Sequence, residues 1–263
     1  MQQSTQGNHR DFLRQLVTLA AIISAFVVNV ASNFFPLNGL SIGEISNTLF
    51  KNVLIIPANY AFAIWGLIYL GLFAFGVYQF LPSQKHDLDL RKSAYLLVIA
   101  LVSQSIWVYF FLSRLFVLSV VAMLLILLPL IGVYLQLGIG NKRVSRMKKW
   151  CSHVPISIYL SWISVATIVN VACALYFQGW NGWGISAQVW TIIMLLVATA
   201  IAVVIIIQRR DIAYTGVTVW ATFAIALKHW NNPTLRNVAL ILAITLVVIT
   251  IVKSSRTQQE HLH

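Results

Sequence analysis

Three constellations of aromatic and amide side chains carry the spacing of single helix faces. Phe62, Trp65, Tyr69 and Phe73 recur at i, i+3, i+7 and i+11. Ala100, Gln104, Trp107 and Phe111 share a second face, and Tyr159, Trp162, Ala166, Asn170, Cys173 and Phe177 a third. Flat rings beside one carboxamide can stack on a ligand while the amide fixes its orientation. The same residues also suit plain packing. An aromatic stripe can meet lipid, and a buried Asn or Gln can simply tie two helices together. Spacing alone leaves both readings open.

The missing residue types narrow the chemistry further. No Asp, Glu, Lys, Arg or His falls in the middle of any long apolar run. Ion-coupled transporters and proton pumps carry ionisable groups there, and general acid–base catalysis needs them in its site. His9, His86, His153, His229, His261 and His263 all lie in tails or near run ends. That argues against an axial haem ligand. Only His153 and His229 could reach a ligand, each at a membrane face. No metal-ligand spacing occurs, and Cys151 and Cys173 sit about 33 Å apart along one expected helix, too far for a disulfide. Lys228, close to a run end with no intramembrane carboxylate as counter-ion, reads as an interfacial lysine snorkelling to the headgroups and not as a Schiff-base site. The sequence therefore predicts neither catalytic nor metal-binding residues.

The elements that must hold these faces are membrane helices. The 263 residues are 59% hydrophobic and only 9% charged, with a mean hydropathy of +0.83. Soluble domains carry roughly 25% charged residues. Eight apolar runs, near 15–35, 58–80, 94–113, 115–138, 155–177, 186–207, 212–230 and 236–252, lack the strict alternation of barrel strands. The fold class is all-α, a polytopic bundle of eight transmembrane helices. The first run has no small-residue cleavage motif and reads as a retained span.

The net charge of +12 follows topology and not nucleic acid, because the basic residues are scattered through short loops. Most of the 18 Lys and Arg fall in the tails and in the segments before the third, fifth and seventh runs. The positive-inside bias then places both termini in the cytoplasm, in an integral protein of the plasma membrane.

Outside the spans, Ser41 and Glu44 have capping-box spacing, followed by Ile42, Ile45, Leu49 and Val53 on one face. A short amphipathic helix over the outer mouth is expected there, weakened by Gly43. Trp180 and Trp183, between glycines, read as headgroup-level belt residues, as do Trp150 and Trp230. Ala198 and Ala202 form a small-xxx-small pair that could serve a homodimer.

At these residues the chain resembles the TspO/MBR family, the tryptophan-rich sensory proteins that include the mitochondrial translocator protein. The family's second-helix signature is a Pro pair, an aromatic, then Val-Trp-x-x-Leu-Tyr; here Pro57, Tyr60, Ile64-Trp65 and Ile68-Tyr69 follow it. Its third helix has Asn-x-x-Trp and paired Phe, matched by Gln104, Trp107, Phe110 and Phe111. Its last helix has Tyr-Leu-x-Trp with Asn eight residues after the Trp, matched by Tyr159, Leu160, Trp162 and Asn170. Three departures mark a divergent long form. One Pro of the pair is lost, Gln replaces the third-helix Asn, and the Trp-rich outer-loop pattern is missing. The helices beyond residue 185 are expected to have no family counterpart.

The resemblance implies a TspO-like five-helix bundle over 15–177, flanked by a cytoplasmic tail at 1–14. Three additional helices at 178–252 and a second tail at 253–263 would follow. It also implies a pocket for a planar hydrophobic ligand of the porphyrin or sterol class. Phe62, Trp65, Tyr69, Gln104, Trp107, Phe111, Trp162, Ala166 and Asn170 would line that pocket. A tetrapyrrole there would be a bound ligand stacked on the three Trp, and no cofactor is expected. The function expected is a non-enzymatic receptor or carrier with a sensory or regulatory role, partnered by the bilayer and a hydrophobic small molecule. The alternative is a facilitative transporter of a neutral solute without ion coupling.

Overall fold

The computed structural model of the protein describes residues 2–85 and 87–259, with side chains described between residues 11 and 255. His86, His261 and His263, and the side chains of His9 and Arg256, lie outside that description. Nine helices are named here in chain order. They are α1 (Gln2–Phe34), α2 (Ile42–Thr48), α3 (Ile64–Tyr78), α4 (Leu88–Leu112) and α5 (Phe116–Gln136), then α6 (Val154–Phe177), α7 (Ala187–Arg209), α8 (Ile212–Lys228) and α9 (Pro233–Gln259). No strand occurs among the described residues. Lipid offers backbone groups no hydrogen bonds, so helices that close their own are the stable answer.

Seven of the helical stretches are long and apolar enough to cross a membrane. The eighth expected span, α8, is a shorter apolar helix of 17 residues. At ~1.5 Å per residue it reaches about 26 Å, near the lower limit for a span. Asp211 starts it, accepting from the Tyr214 N–H at 3.0 Å.

Two compact units make up the chain: Met1–Glu44 with Trp65–Leu160, and Ile45–Ile64 with Ser161–His263. The boundary expected at 177/178 falls inside the second of these.

Within the first unit α1 and α3 run antiparallel in a register set by small and polar groups. Gln15 Nε2 donates to the Gln79 carbonyl at 2.6 Å, and Gln79 Nε2 donates back to the Gln15 carbonyl at 3.1 Å. One turn on, Gly76 faces the side-chain ends of Leu19 and Ile22. Further along, the Tyr69 hydroxyl donates to the Ala25 carbonyl at 3.0 Å. Helix α3 also abuts the start of α6, where a Cβ on Gly71 would sit 2.9 Å from Pro155 Cβ.

Ion pairs gather at one end of this unit. Arg91 bonds Asp11, Lys148 bonds Asp87 at 2.6 Å and Asp89 at 3.3 Å, and Lys142 bonds Asp89 at 2.7 Å. Asp87 also caps α4, accepting from the Asp89 and Leu90 N–H groups. Arg14 lies 3.8 Å from Asp11, so three basic segments that the charge bias assigned to one side of the membrane share acidic partners.

The expected outer-loop helix forms as α2, with its capping box closed. Ser41 donates through its N–H and hydroxyl to Glu44 Oε2, both at 2.7 Å, which holds the Glu44 carboxyl below its ordinary range. It stops at Thr48, so Leu49 and Val53 lie beyond it. Seven residues are too few to carry the longer apolar face.

In the second unit α8 is tied on both sides. Ser161 Oγ donates to the Tyr214 carbonyl at 2.7 Å, and the Tyr214 hydroxyl donates to Ser164 Oγ at 3.1 Å. The segment before α3 lies along it: Ala58 N–H donates to the Ala224 carbonyl, and Trp220 Nε1 donates to the Ala61 carbonyl at 3.1 Å. Ala202 is fully buried. Ala198, the other member of the small-residue pair, is half-buried.

Trp180 and Trp183 join Trp190 in a ring cluster, with centroids 5.3–5.9 Å apart. Trp190 Nε1 donates to the Gly182 carbonyl at 2.9 Å, while Trp183 stays exposed. An exposed indole on a glycine-rich loop suits the headgroup level.

The Gly71–Pro155 approach yields a test, because the pyrrolidine ring cannot swing aside. Gly71→Val should destabilise the protein by about 1–3 kcal/mol through overpacking. Thermal unfolding in detergent reads this against Gly66→Val, where a Cβ meets nothing within 4 Å.

Candidate ligand-binding site

The second-helix stripe is carried by two helical forms. Asn59–Ala63 is a 3-10 turn, and the α-helical register begins at Ile64. The two ring sets therefore start from different backbone forms, Phe62 from the 3-10 turn and Trp65, Tyr69 and Phe73 from the α-helix. Phe62 instead meets Trp162 edge-on at 5.8 Å, within the second unit. Trp65 and its followers belong to the first.

In the first unit Trp65 stacks on Tyr69, with centroids 5.8 Å apart and planes at 28°, and meets Tyr159 edge-on at 6.2 Å. Both tyrosines are fixed through one amide. Tyr159 donates its hydroxyl to Gln104 Oε1, Gln104 Nε2 donates to the Tyr69 oxygen at 2.5 Å, and Tyr69 donates to the Ala25 carbonyl. A relay of three side chains therefore joins α6, α4, α3 and α1, and each member is buried. An unmade hydrogen bond in such a place costs roughly 1–3 kcal/mol, so the chain of donors is also a chain of constraints.

Phe26 of α1 completes the ring set. It meets Tyr69 at 5.2 Å and Phe73 at 5.4 Å, both edge-on. Sequence reasoning missed it because a lone Phe in an apolar run carries no periodic signal. Tyr159 was read on its face but not as a partner of Gln104.

Trp107 and Phe111 form a separate ring chain in the same unit. They lie 5.2 Å apart and continue to Phe116 of α5. In the second unit, Trp162 and Asn170 are buried and Ala166 is half-buried on α6. Trp65, Tyr69 and Gln104 are thus brought together, Trp107 with Phe111 makes a second set, and Phe62 with Trp162 a third.

The two histidines near membrane faces are both engaged. His153 is buried in the π-helical turn Lys149–His153 that leads into α6. The His229 Nε2 lies 2.7 Å from the Leu54 carbonyl, and burial lowers its pKa. Among the described residues no group of three His, Cys, Asp or Glu could hold a metal ion.

Chemically, the Trp65 cluster is a half-buried indole face backed by rings that cannot turn. It can stack a flat apolar molecule.

A family model described as TSPO-like protein matches residues 15–252. The match runs through the last three helices, so the helices beyond residue 185 do have a family counterpart, against the sequence expectation. No curated protein and no solved structure gives a significant match.

Gln104 stands where the family signature has Asn, and its extra methylene lets one amide span two tyrosines. Gln104→Asn should break at least one of these bonds and lower stability by about 1–3 kcal/mol. Thermal unfolding checks this; an unchanged melting temperature would mean that the relay contributes nothing.

Proposed function

Because the chain belongs to the TSPO-like family, we propose that it is an integral membrane receptor or carrier for a planar hydrophobic ligand of the tetrapyrrole or sterol class. The observation that carries this reading is the Trp65 indole, half-buried and stacked on a tyrosine whose hydroxyl is fixed by both Gln104 and Ala25. A rigid aromatic face loses little freedom when a flat molecule lies against it, and such preorganisation favours binding.

The role is recognition or carriage and not catalysis. The Trp65 cluster contains tyrosines and an amide, and the span interiors supply no acid–base pair. The ion pairs that gather three basic segments at one end of the first unit support a cytoplasmic location for that end, in the plasma membrane.

The test is a titration of the purified protein with protoporphyrin, read by tryptophan fluorescence. Saturable quenching is expected, and Trp65→Phe should weaken binding about two- to tenfold, the worth of one aromatic stack. Trp180→Phe, in the exposed loop, should leave the affinity unchanged. Absence of saturable quenching, or equal affinity in the Trp65 variant, would overturn the proposal.

A further inference from the structure

The end of the first unit where the ion pairs gather carries more cations than it can pair. Its described acids are all taken, Asp11 by Arg14 and Arg91, Asp87 by Lys148, and Asp89 by Lys142 and Lys148. The remaining described acid of the unit, Glu44, is held by Ser41 in the outer loop. Arg143, Arg146 and Lys149 stay exposed, and none of them meets a carboxylate among the described residues.

Local structure sets how these cations are displayed. Ser145 Oγ accepts from the Lys148 N–H at 3.2 Å and starts a helical turn, Arg146–Lys148. The π-helical turn Lys149–His153 joins it to α6, so one helix runs from Arg146 to Phe177. Its 32 residues reach about 48 Å at ~1.5 Å each, well beyond a hydrocarbon core of ~30 Å. Charge inside the core is costly, so the surplus includes the charged first turns. These turns therefore stand at headgroup depth.

Their two sides differ. Lys148 and Ser152 are buried, and the Lys148 ammonium is bound between Asp87 and Asp89. Arg146, Met147, Lys149 and Trp150 are exposed, at i, i+1, i+3 and i+4. Met147 is 58% and Trp150 59% exposed, so neither is spent on the protein's own core. Two free cations beside a thioether and an indole, on a turn whose other side is pinned by ion pairs, make a fixed amphipathic face. A soluble anion would use the cations and leave Met147 and Trp150 in water. A lipid uses both.

We propose that this face binds the headgroup of an anionic phospholipid. Arg146 and Lys149, with Arg143 from the preceding loop, pair its phosphate, while Met147 and Trp150 rest against the start of its acyl chains. A zwitterionic lipid brings its own ammonium beside the phosphate and gains less from these cations. The face lies wholly within the first unit and does not use the Trp65 cluster.

Native mass spectrometry of the full-length protein in detergent, with dioleoyl phosphatidylglycerol or dioleoyl phosphatidylcholine added, counts bound lipid and provides the test. Phosphatidylglycerol should bind about fivefold more tightly or better, the worth of at least one basic residue near an anionic headgroup. Arg146→Gln with Lys149→Gln should bring it down to the phosphatidylcholine level, and each single substitution should give an intermediate preference. Arg146→Lys should keep most of it. Lys51→Gln with Arg114→Gln removes as much charge from exposed positions that the charge bias assigns to the opposite face, and should leave the preference intact.

Equal affinity for the two lipids in the unaltered protein would overturn the proposal, as would a preference that survives Arg146→Gln with Lys149→Gln. An equal loss in the Lys51 and Arg114 variant would also overturn it, by assigning the effect to net charge alone. Displacement of phosphatidylglycerol by an equal concentration of glycerol phosphate would do the same, by assigning the cations to a soluble anion. Protoporphyrin quenching should be unaffected by Arg146→Gln with Lys149→Gln, so failure here and failure at Trp65 are read separately.

Discussion

A hydroxyl or amide inside hydrocarbon has no water to turn to, so every buried polar group must be completed by the protein or by what the protein binds. The relay from Tyr159 through Gln104 and Tyr69 to the Ala25 carbonyl is the clearest consequence in the first unit. It joins four helices through groups that would be costly if separated. The aromatic rings on that frame inherit its rigidity: Trp65 lies on Tyr69 because Tyr69 cannot swing away, and Phe26 closes the other side.

Small residues do the complementary work. Gly76 lets α1 and α3 approach, Gly71 admits the Pro155 ring, and Gly132 meets the Leu96 side chain between α4 and α5. Without a hydrophobic force between helices in lipid, close backbone approach and hydrogen bonds hold the bundle together. Charge is used sparingly and at the edge. In the first unit Asp11, Asp87 and Asp89 pair with Arg91, Lys142 and Lys148.

Much of this was legible in the residues. Long uncharged runs specify membrane helices because length and composition alone decide that question, and Ser41 with Glu44 announced the α2 cap through a local spacing. The Trp-bearing motifs gave the family, whose match to residues 15–252 bears them out. Partnership between helices was not legible. Periodicity puts Phe62 on a line with Trp65, but it does not say that Phe62 meets Trp162 edge-on. Gln104 could be recognised as an amide needing partners, yet no local pattern says that both are tyrosines from other helices. Lys228 near a helix end looked interfacial, yet its Nζ is buried, because sequence gives depth along a helix and not the direction of a long side chain.

The relay's reality is most directly tested by a double-mutant cycle between Tyr69→Phe and Tyr159→Phe, measured by reversible unfolding in detergent. The two hydroxyls are bridged only through the Gln104 amide, so they should be coupled, with an interaction energy of about 0.5 kcal/mol or more. Strict additivity of the two substitutions would contradict it.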